Sequence, residues 1–310
     1  MEIFRDKIRL NQFKGSKDKS TRKFVLTDDC IEKHGVKLYR IKCIESFGPV
    51  KKGEYGGYVE GEYNLSKWGL AWVYGDACVF GNVKLLGNAK VCDSACVFGN
   101  AIVCDNACVF DDACVSDHAI IGDCAKVYGN AGVYGNAKVY GSTCVYGNAK
   151  VYDSACVFGN AIVCDDACVF DDACVSDHAI IGDCAKVYGN AGVYGNAKVY
   201  GNACVSDKAK VYGNAKVCGY KWLSGYDSIS SDESLDNITK NHDYNCLVTG
   251  NKNINECPIK DKIEIMCDRC CRVEHEILKR KRQEEIEETK RIFQGISDII
   301  KKSFGLDEKR

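Results

Sequence analysis

The stretch Val133-Tyr-Gly-Asn-Ala-Lys-Val-Tyr140 decides the fold, because its six-residue unit fills residues 73–218 without insertion or deletion. An aliphatic residue recurs at every sixth position from Val73 to Val217, with a small residue four places later. Side chains of a strand alternate between two faces, so Val and Ala face one way while Lys and Tyr face the other. Gly-Asn suits a sharp corner, because both residues tolerate left-handed backbone. Winding always in one sense keeps every Val inside, which predicts a parallel solenoid.

The aliphatic-x-x-x-small-x unit resembles the hexapeptide repeat of bacterial transferases. This resemblance implies an all-β fold, a left-handed parallel β-helix with three units in each coil. Under that arrangement, the roughly 24 units of residues 73–218 make about eight coils.

The residues before the array predict a cap. Residues 1–22 are a polar arm, and 23–72 form a small β cap that begins with a hairpin. An end coil exposes strand edges and apolar interior, and the residues suited to cover it are Tyr39, Trp68 and Trp72. The head sequence Lys51-Lys-Gly-Glu-Tyr-Gly-Gly-Tyr-Val-Glu60, combined with Gly-Asn-Ala repeats, is similar to YdcK-like hexapeptide-repeat proteins of bacteria and phages. Members of that family are often labelled transferases or polymer-forming proteins by repeat type alone.

The residues after the array change composition. Residues 219–258 are rich in Ser, Asn and Asp and predict a flexible linker. Residues 259–310 show the apolar spacing of a helix around an almost wholly charged middle. This helix could cap the solenoid, pair between subunits or dock a protein partner.

Charge and cysteine content narrow the function classes. The chain has 42 Lys and Arg against 43 Asp and Glu, so charge gives no argument for nucleic acid. The N-terminus lacks the apolar core of a signal peptide, and no run is long enough to span a membrane. Most of the 22 cysteines occupy repeat positions held elsewhere by Tyr, Phe, Lys or Ile, which predicts free thiols and a cytoplasmic location. Metal or redox use of Cys78, Cys96 and Cys114, one coil apart, is the alternative.

A near-perfect duplication lies inside the array. Residues 93–141 recur as 153–201 with one change, Asn106 to Asp166. The offset of 60 residues is ten units, or three coils and one face. The second copy should therefore be rotated by a third of a turn, and a site built on one vertical face would not be reproduced on that face.

Outward aromatic residues recur every 18 positions and should stack between coils. A second series runs from Leu86 to Tyr212. Stacking along a sheet stabilises it, while the alternative is a surface for self-association or ligand binding. The principal predicted ladder contains Phe80, Phe98, Tyr134, Tyr152, Phe170 and Tyr188.

Catalytic candidates within the array are His118 and His178, copies of each other at a corner position normally held by Asn. Hexapeptide acyltransferases, which this array resembles, place a catalytic histidine at a subunit edge, often beside a loop that completes an acyl-donor site. No loop interrupts this array. Corner aspartates such as Asp111 and Asp112 are expected to make turn hydrogen bonds, with calcium binding as the alternative.

Metal-ligand spacing is strongest in the tail. Cys267, Cys271 and His275 are four residues apart and would share one helix face. Zinc normally takes four such ligands, so Cys257, Cys270 or a partner chain would have to complete the set. Thiols on the apolar side of a helix are the simpler interpretation.

These observations together predict a non-catalytic scaffold or assembly protein that needs no cofactor and forms a homo-oligomer. The competing hypothesis is an acyltransferase that uses acyl-coenzyme A.

Overall fold

The structure, a computed structural model, describes residues 22–230. Most of the predicted polar arm and all of the predicted C-terminal helix, with its partner-docking role and candidate zinc ligands Cys267, Cys271 and His275, lie outside the described residues.

The head begins with three longer strands, β1 (Phe24–Lys33), β2 (Val36–Cys43) and β3 (Tyr55–Val59), followed by a short 3-10 helix at Glu62–Asn64. β1 pairs antiparallel with β2 and β2 antiparallel with β3, which confirms the predicted hairpin. β3 then pairs parallel with the first strand of its sheet in the repeat array, β5 (Cys78–Val79). The head therefore continues one side of the solenoid.

Every repeat unit contributes one strand of two residues. The strands are β4 (Trp72–Val73), β5 (Cys78–Val79), β6 (Lys84–Leu85), β7 (Lys90–Val91), β8 (Cys96–Val97), β9 (Ile102–Val103), β10 (Cys108–Val109), β11 (Cys114–Val115), β12 (Ile120–Ile121), β13 (Lys126–Val127), β14 (Gly132–Val133), β15 (Lys138–Val139), β16 (Cys144–Val145), β17 (Lys150–Val151), β18 (Cys156–Val157), β19 (Ile162–Val163), β20 (Cys168–Val169), β21 (Cys174–Val175), β22 (Ile180–Ile181), β23 (Lys186–Val187), β24 (Gly192–Val193), β25 (Lys198–Val199), β26 (Cys204–Val205), β27 (Lys210–Val211), β28 (Lys216–Val217), β29 (Trp222–Leu223) and β30 (Ser228–Ile229).

Three sheets form the sides of the solenoid, and their strands are parallel within the repeat array. The first runs β1-β2-β3-β5-β8 and on to β29, the second from β6 to β30, and the third from β4 to β28. Partners are 18 residues apart, as in Val115 opposite Val133. The predicted parallel solenoid with three units in each coil is confirmed.

The solenoid has more coils than the repeat count predicts. The 27 strands from β4 to β30 fall three to a coil, and β3 with the bridge of Leu65 to Leu85 forms the first coil, so there are about ten turns instead of eight. The array continues through Gly219 to Ile229, residues predicted to begin a linker. Leu223 and Ile229 keep the inward aliphatic position, but Lys221 and Asp227 replace the small residue, so the pattern ends before the coils do.

The core is a column of Val and Ala. These inward side chains are fully buried from Val73 to Val217 and form one continuous cluster. Burying each Val contributes roughly 1.5–3 kcal/mol, so the repeat itself supplies most of the apolar stabilisation.

The backbone conformation at the corners shows why aspartate can replace glycine as the first corner residue. The first corner residue has positive φ throughout, and where it is not Gly it is Asp, with φ between 53° and 61° in the array. At Asp117, Asp177 and Asp183 the carboxylate accepts the backbone N–H of the residue one coil later, at 3.0, 3.0 and 2.8 Å. The hydrogen bond offsets the cost of left-handed backbone, which is roughly 1–2 kcal/mol for a residue with a Cβ. These hydrogen bonds of the corner aspartates join successive coils, whereas the sequence predicts hydrogen bonds within each turn.

We therefore expect Asp183→Ala to destabilise the solenoid by about 2 kcal/mol, because it loses the bond to Gly201 and keeps the backbone strain. Asp183→Gly loses only the bond and should cost about 1 kcal/mol or less. Denaturant unfolding of both variants checks this order. A glycine variant less stable than the alanine variant would contradict it.

The head closes the N-terminal end with packing and with one buried cation. Trp72 is fully buried, and its ring meets the rings of Phe24 and Phe47 edge-on, with centroids 6.1 and 5.4 Å away. Lys23 Nζ donates to the Ala71 carbonyl at 2.9 Å and lies 4.7 Å from the centre of the Phe47 ring. Burial lowers the pKa of Lys23 to about 8. Trp72 thus covers the end as expected, whereas Trp68 is 60% exposed.

Candidate functional surfaces

The two candidate histidines stand on different corners. His118 follows β11 in the first sheet, whereas His178 follows β21 in the second sheet. This arrangement confirms that the second copy of the duplication is rotated by one side of the solenoid. The structure therefore does not bring His118 and His178 together.

Each histidine belongs to a ladder of corner amides. His118 Nε2 lies 3.2 Å from Asn100 Nδ2, and Asn82 donates in turn to Asn100 Oδ1 at 3.0 Å. His178 Nε2 has the equivalent contact with Asn160, at 3.5 Å. An amide nitrogen only donates, so the imidazole Nε2 accepts in this arrangement. Each ring is exposed, and its hydrogen-bond partner among residues 22–230 is an amide and not a carboxylate that could orient a general base.

The stacked cysteine thiols pack against one another and do not have the low pKa of reactive thiols. Cys78, Cys96 and Cys114 are in register on neighbouring strands of the first sheet and are free thiols. Burial raises the pKa of the Cys96 thiol to about 12 and also raises the pKa values of Cys78 and Cys114. A thiol nucleophile or metal ligand has to be a thiolate, which burial disfavours here.

Within residues 22–230, no group of three or more His, Cys, Asp or Glu side chains is arranged to hold a metal ion. This part of the chain therefore gives no support to calcium at the stacked corners or to metal binding by the cysteine column. No helix in the same residues could cross a membrane.

The predicted aromatic ladder is present as two separate stacks. Phe80 and Phe98 stack with centroids 5.2 Å apart, and the β1–β2 hairpin covers them through His34, whose ring lies 5.9 Å from each. Further along, Tyr152, Phe170 and Tyr188 stack at 4.9 Å spacing. The rings are buried or half-buried, so they lie against the sheet instead of projecting from it.

Tyr134 occupies the gap between these stacks and turns towards its own strand. Its ring lies over Gly132, so closely that a Cβ on Gly132 would collide with the phenol. Tyr194 covers Gly192 in the same way in the second copy. A glycine two residues before a tyrosine is the sequence signal for this conformation.

A third stack, outside the predicted ladder, joins Phe110, Tyr128 and Tyr146 with centroids 4.8 and 5.0 Å apart. These residues follow the inward Val on the third sheet and are also 18 apart, so the same spacing rule would have found them.

No protein-family profile and no curated protein sequence matches this chain.

Exposed large apolar side chains gather near the ends of the solenoid. At the N-terminal end, Trp68, Leu70 and Leu86 are 60%, 38% and 39% exposed. Trp68 and Leu86 are 18 residues apart at one corner, and the backbone N–H of Leu70 donates to Asn88 Oδ1 at 3.3 Å. We call these three residues the N-terminal apolar patch. Near the C-terminal end, Tyr212, Tyr220 and Tyr226 are 41%, 88% and 80% exposed.

A surface groove in the head is lined by Thr27, Asp28, Asp29, Arg40 and Tyr55. The Arg40 guanidinium is paired with Asp76 at 3.0 Å and with Asp29 at 3.4 Å, and it lies over the Tyr58 ring. The cation in this groove is therefore already engaged in holding the head to the first corner of the array.

Proposed function

We propose that this protein is a non-catalytic scaffold whose solenoid holds partners or further copies at fixed spacing. The observation that carries the proposal is the placement of His118 and His178 on different corners, each within an amide ladder. A histidine that acts as a general base is often oriented by a carboxylate or a backbone carbonyl on its other ring nitrogen, and within residues 22–230 the bonded partner of each ring is an amide.

The resemblance to hexapeptide-repeat proteins adds finer features to the proposal. It implies left-handed coils and a relationship to YdcK-like proteins of bacteria and phages. The free thiols of the described residues are consistent with a reducing, cytoplasmic environment. Transferase and polymer-forming activities are both known among proteins with such repeats, so fold alone does not select one.

Ligand binding separates the scaffold from an acyltransferase. We expect calorimetric titration of the full chain with acetyl-coenzyme A to show no saturable binding. Micromolar binding that disappears in a His118→Asn/His178→Asn variant would overturn the proposal. Asparagine is the matched substitution, because it is the residue that the ladder uses at positions 100 and 160.

Self-association is the second part of the proposal, and the N-terminal apolar patch supports it. Exposed apolar side chains grouped at one end of a protein can mark an interaction site, and we propose that a second copy of this chain covers the N-terminal apolar patch. We expect light scattering at tens of micromolar to give an oligomer mass for the full chain and a lower mass for Trp68→Ser/Leu86→Ser. A monodisperse wild-type monomer would contradict this part.

A further inference from the structure

The C-terminal coils differ in charge from the rest of the array. Residues 73–195 contain six lysines and 14 aspartates, whereas residues 196–230 contain five lysines and two aspartates. Lys198, Lys208, Lys210 and Lys216 are exposed on these last coils. The positive charge is therefore concentrated at one end of an otherwise acidic solenoid.

The two aspartates of these coils are engaged by the backbone. Asp207 Oδ2 accepts the N–H of Gly225 at 3.1 Å, and Asp227 Oδ2 accepts the N–H of Ser224 at 3.4 Å. Lys198 lies opposite Lys216 in register on the third sheet, a like-charge pair that is unfavourable unless an anion is nearby. With five lysines and two aspartates, residues 196–230 carry a net positive charge.

Three strand edges meet at this end. β29, β30 and β28 are the last strands of the first, second and third sheets, and no described residue pairs with their outer edges. An unpaired edge presents N–H and C=O groups that can accept an extended chain as an additional strand. Tyr212, two residues after Lys210, and Tyr226, directly after Gly225, are exposed. They provide apolar contact area near these edges.

We propose that the C-terminal end of the solenoid binds an extended acidic polypeptide, which pairs with the open edges of β28 and β30 while its carboxylates pair with Lys216 on β28 and with Lys210 on β27, the strand next to β30. The proposal rests on the scaffold function and names the partner class that this end would recruit. The open edges favour a polypeptide over a polynucleotide, because only a peptide backbone supplies both donors and acceptors at strand spacing. A tail-to-tail contact between two copies is disfavoured, since two basic ends would meet.

The test uses the full chain and a fluorescein-labelled peptide of alternating glutamate and threonine, followed by fluorescence anisotropy. We expect saturable binding that weakens with salt and falls roughly tenfold or more in Lys210→Glu/Lys216→Glu. The matched control is Lys138→Glu/Lys126→Glu, because these exposed lysines hold the same positions on the same two sheets. This control should bind like the wild type.

Two further probes examine the mode of binding. A peptide of alternating glutamate and proline has the same charge but cannot add a strand, so it should bind several-fold more weakly. Equal binding of the two peptides, equal loss in both charge variants, tighter binding of oligothymidylate, or no binding to the full chain would each overturn the proposal. None of these outcomes tests acetyl-coenzyme A binding, so the scaffold function can stand if this inference fails.

Discussion

Replacing Val133 with aspartate will unfold the coils around it. Val133 is fully buried and stacks between Val115 and Val151, in the middle of the array. The change removes roughly 1.5–3 kcal/mol of apolar burial and places an unpaired carboxylate in a column of Val and Ala, which adds several kcal/mol more. Since each coil is stabilised only by its neighbours, the damage should spread to the coils on either side.

Hydrogen exchange read by mass spectrometry checks this expectation coil by coil. Protection should be lost around β11, β14 and β17, while the head remains protected. The control is Lys138→Asp on the next strand, where the side chain is exposed and the cost should stay within about 0.5 kcal/mol. Equal destabilisation by the two variants would refute the assignment of inward and outward positions.

The six-residue period predicted the features that depend on backbone conformation and on core packing. The spacing of Val and Ala determined which face is buried, and Gly or Asp at every corner determined where the chain turns. The predicted array ends at Val217, because the repeat pattern has a small residue at positions 221 and 227 and this chain has Lys and Asp there. In the structure Asp227 is exposed on the last coil and its carboxylate accepts the Ser224 N–H at 3.4 Å, so a polar side chain is tolerated at this position.

Side-chain placement was harder to predict than the coil itself. Tyr134 has the 18-residue spacing of its ladder, yet it fills the space left by Gly132, a choice that depends on the local volume and not on the period. The stack of Phe80 and Phe98 is covered by the head, since Leu38 and Tyr58 from the head join Phe80 and Cys78 in a second apolar cluster. Contacts between the head and the array cannot be read from a repeat.

The proposed binding surfaces lie where the sequence departs from the repeat. Each coil of a perfect hexapeptide array would present the same faces, so only deviations can localise binding. Here they concentrate at the ends, with Trp68 and Leu70 ahead of the regular units and Lys216, Tyr220 and Tyr226 in the last coils. The duplicated middle places equivalent residues on different sides, which suits a spacer between two functional ends.

Raising the pH from 7 to 10 under reducing conditions will destabilise the solenoid strongly. Burial raises the pKa of Cys96 and Cys104 to about 12 and that of Cys92, Cys164 and Cys174 to about 11. In the unfolded chain these thiols ionise near pH 8.5. Their folded-state pKa values are raised, so the stability that they contribute is fully present below the unfolded pKa and is lost as the pH rises towards 11–12.

At pH 10 the loss is about 1 kcal/mol for each such thiol after allowance for partial exposure, so the five together cost on the order of 5 kcal/mol. Lys23 acts in the opposite direction, because burial lowers its pKa to about 8. Between about pH 8 and 10.5 its ammonium loses the proton in the folded state, which removes the cost of burying that charge. One lysine cannot offset five thiols.

Denaturant midpoints measured across this range should therefore fall, and fall less steeply in Cys96→Val/Cys104→Val, which removes two of the titrating groups. A midpoint that stays constant or rises from pH 8 to 10 would show that these thiols are not packed against the sheets as the structure places them.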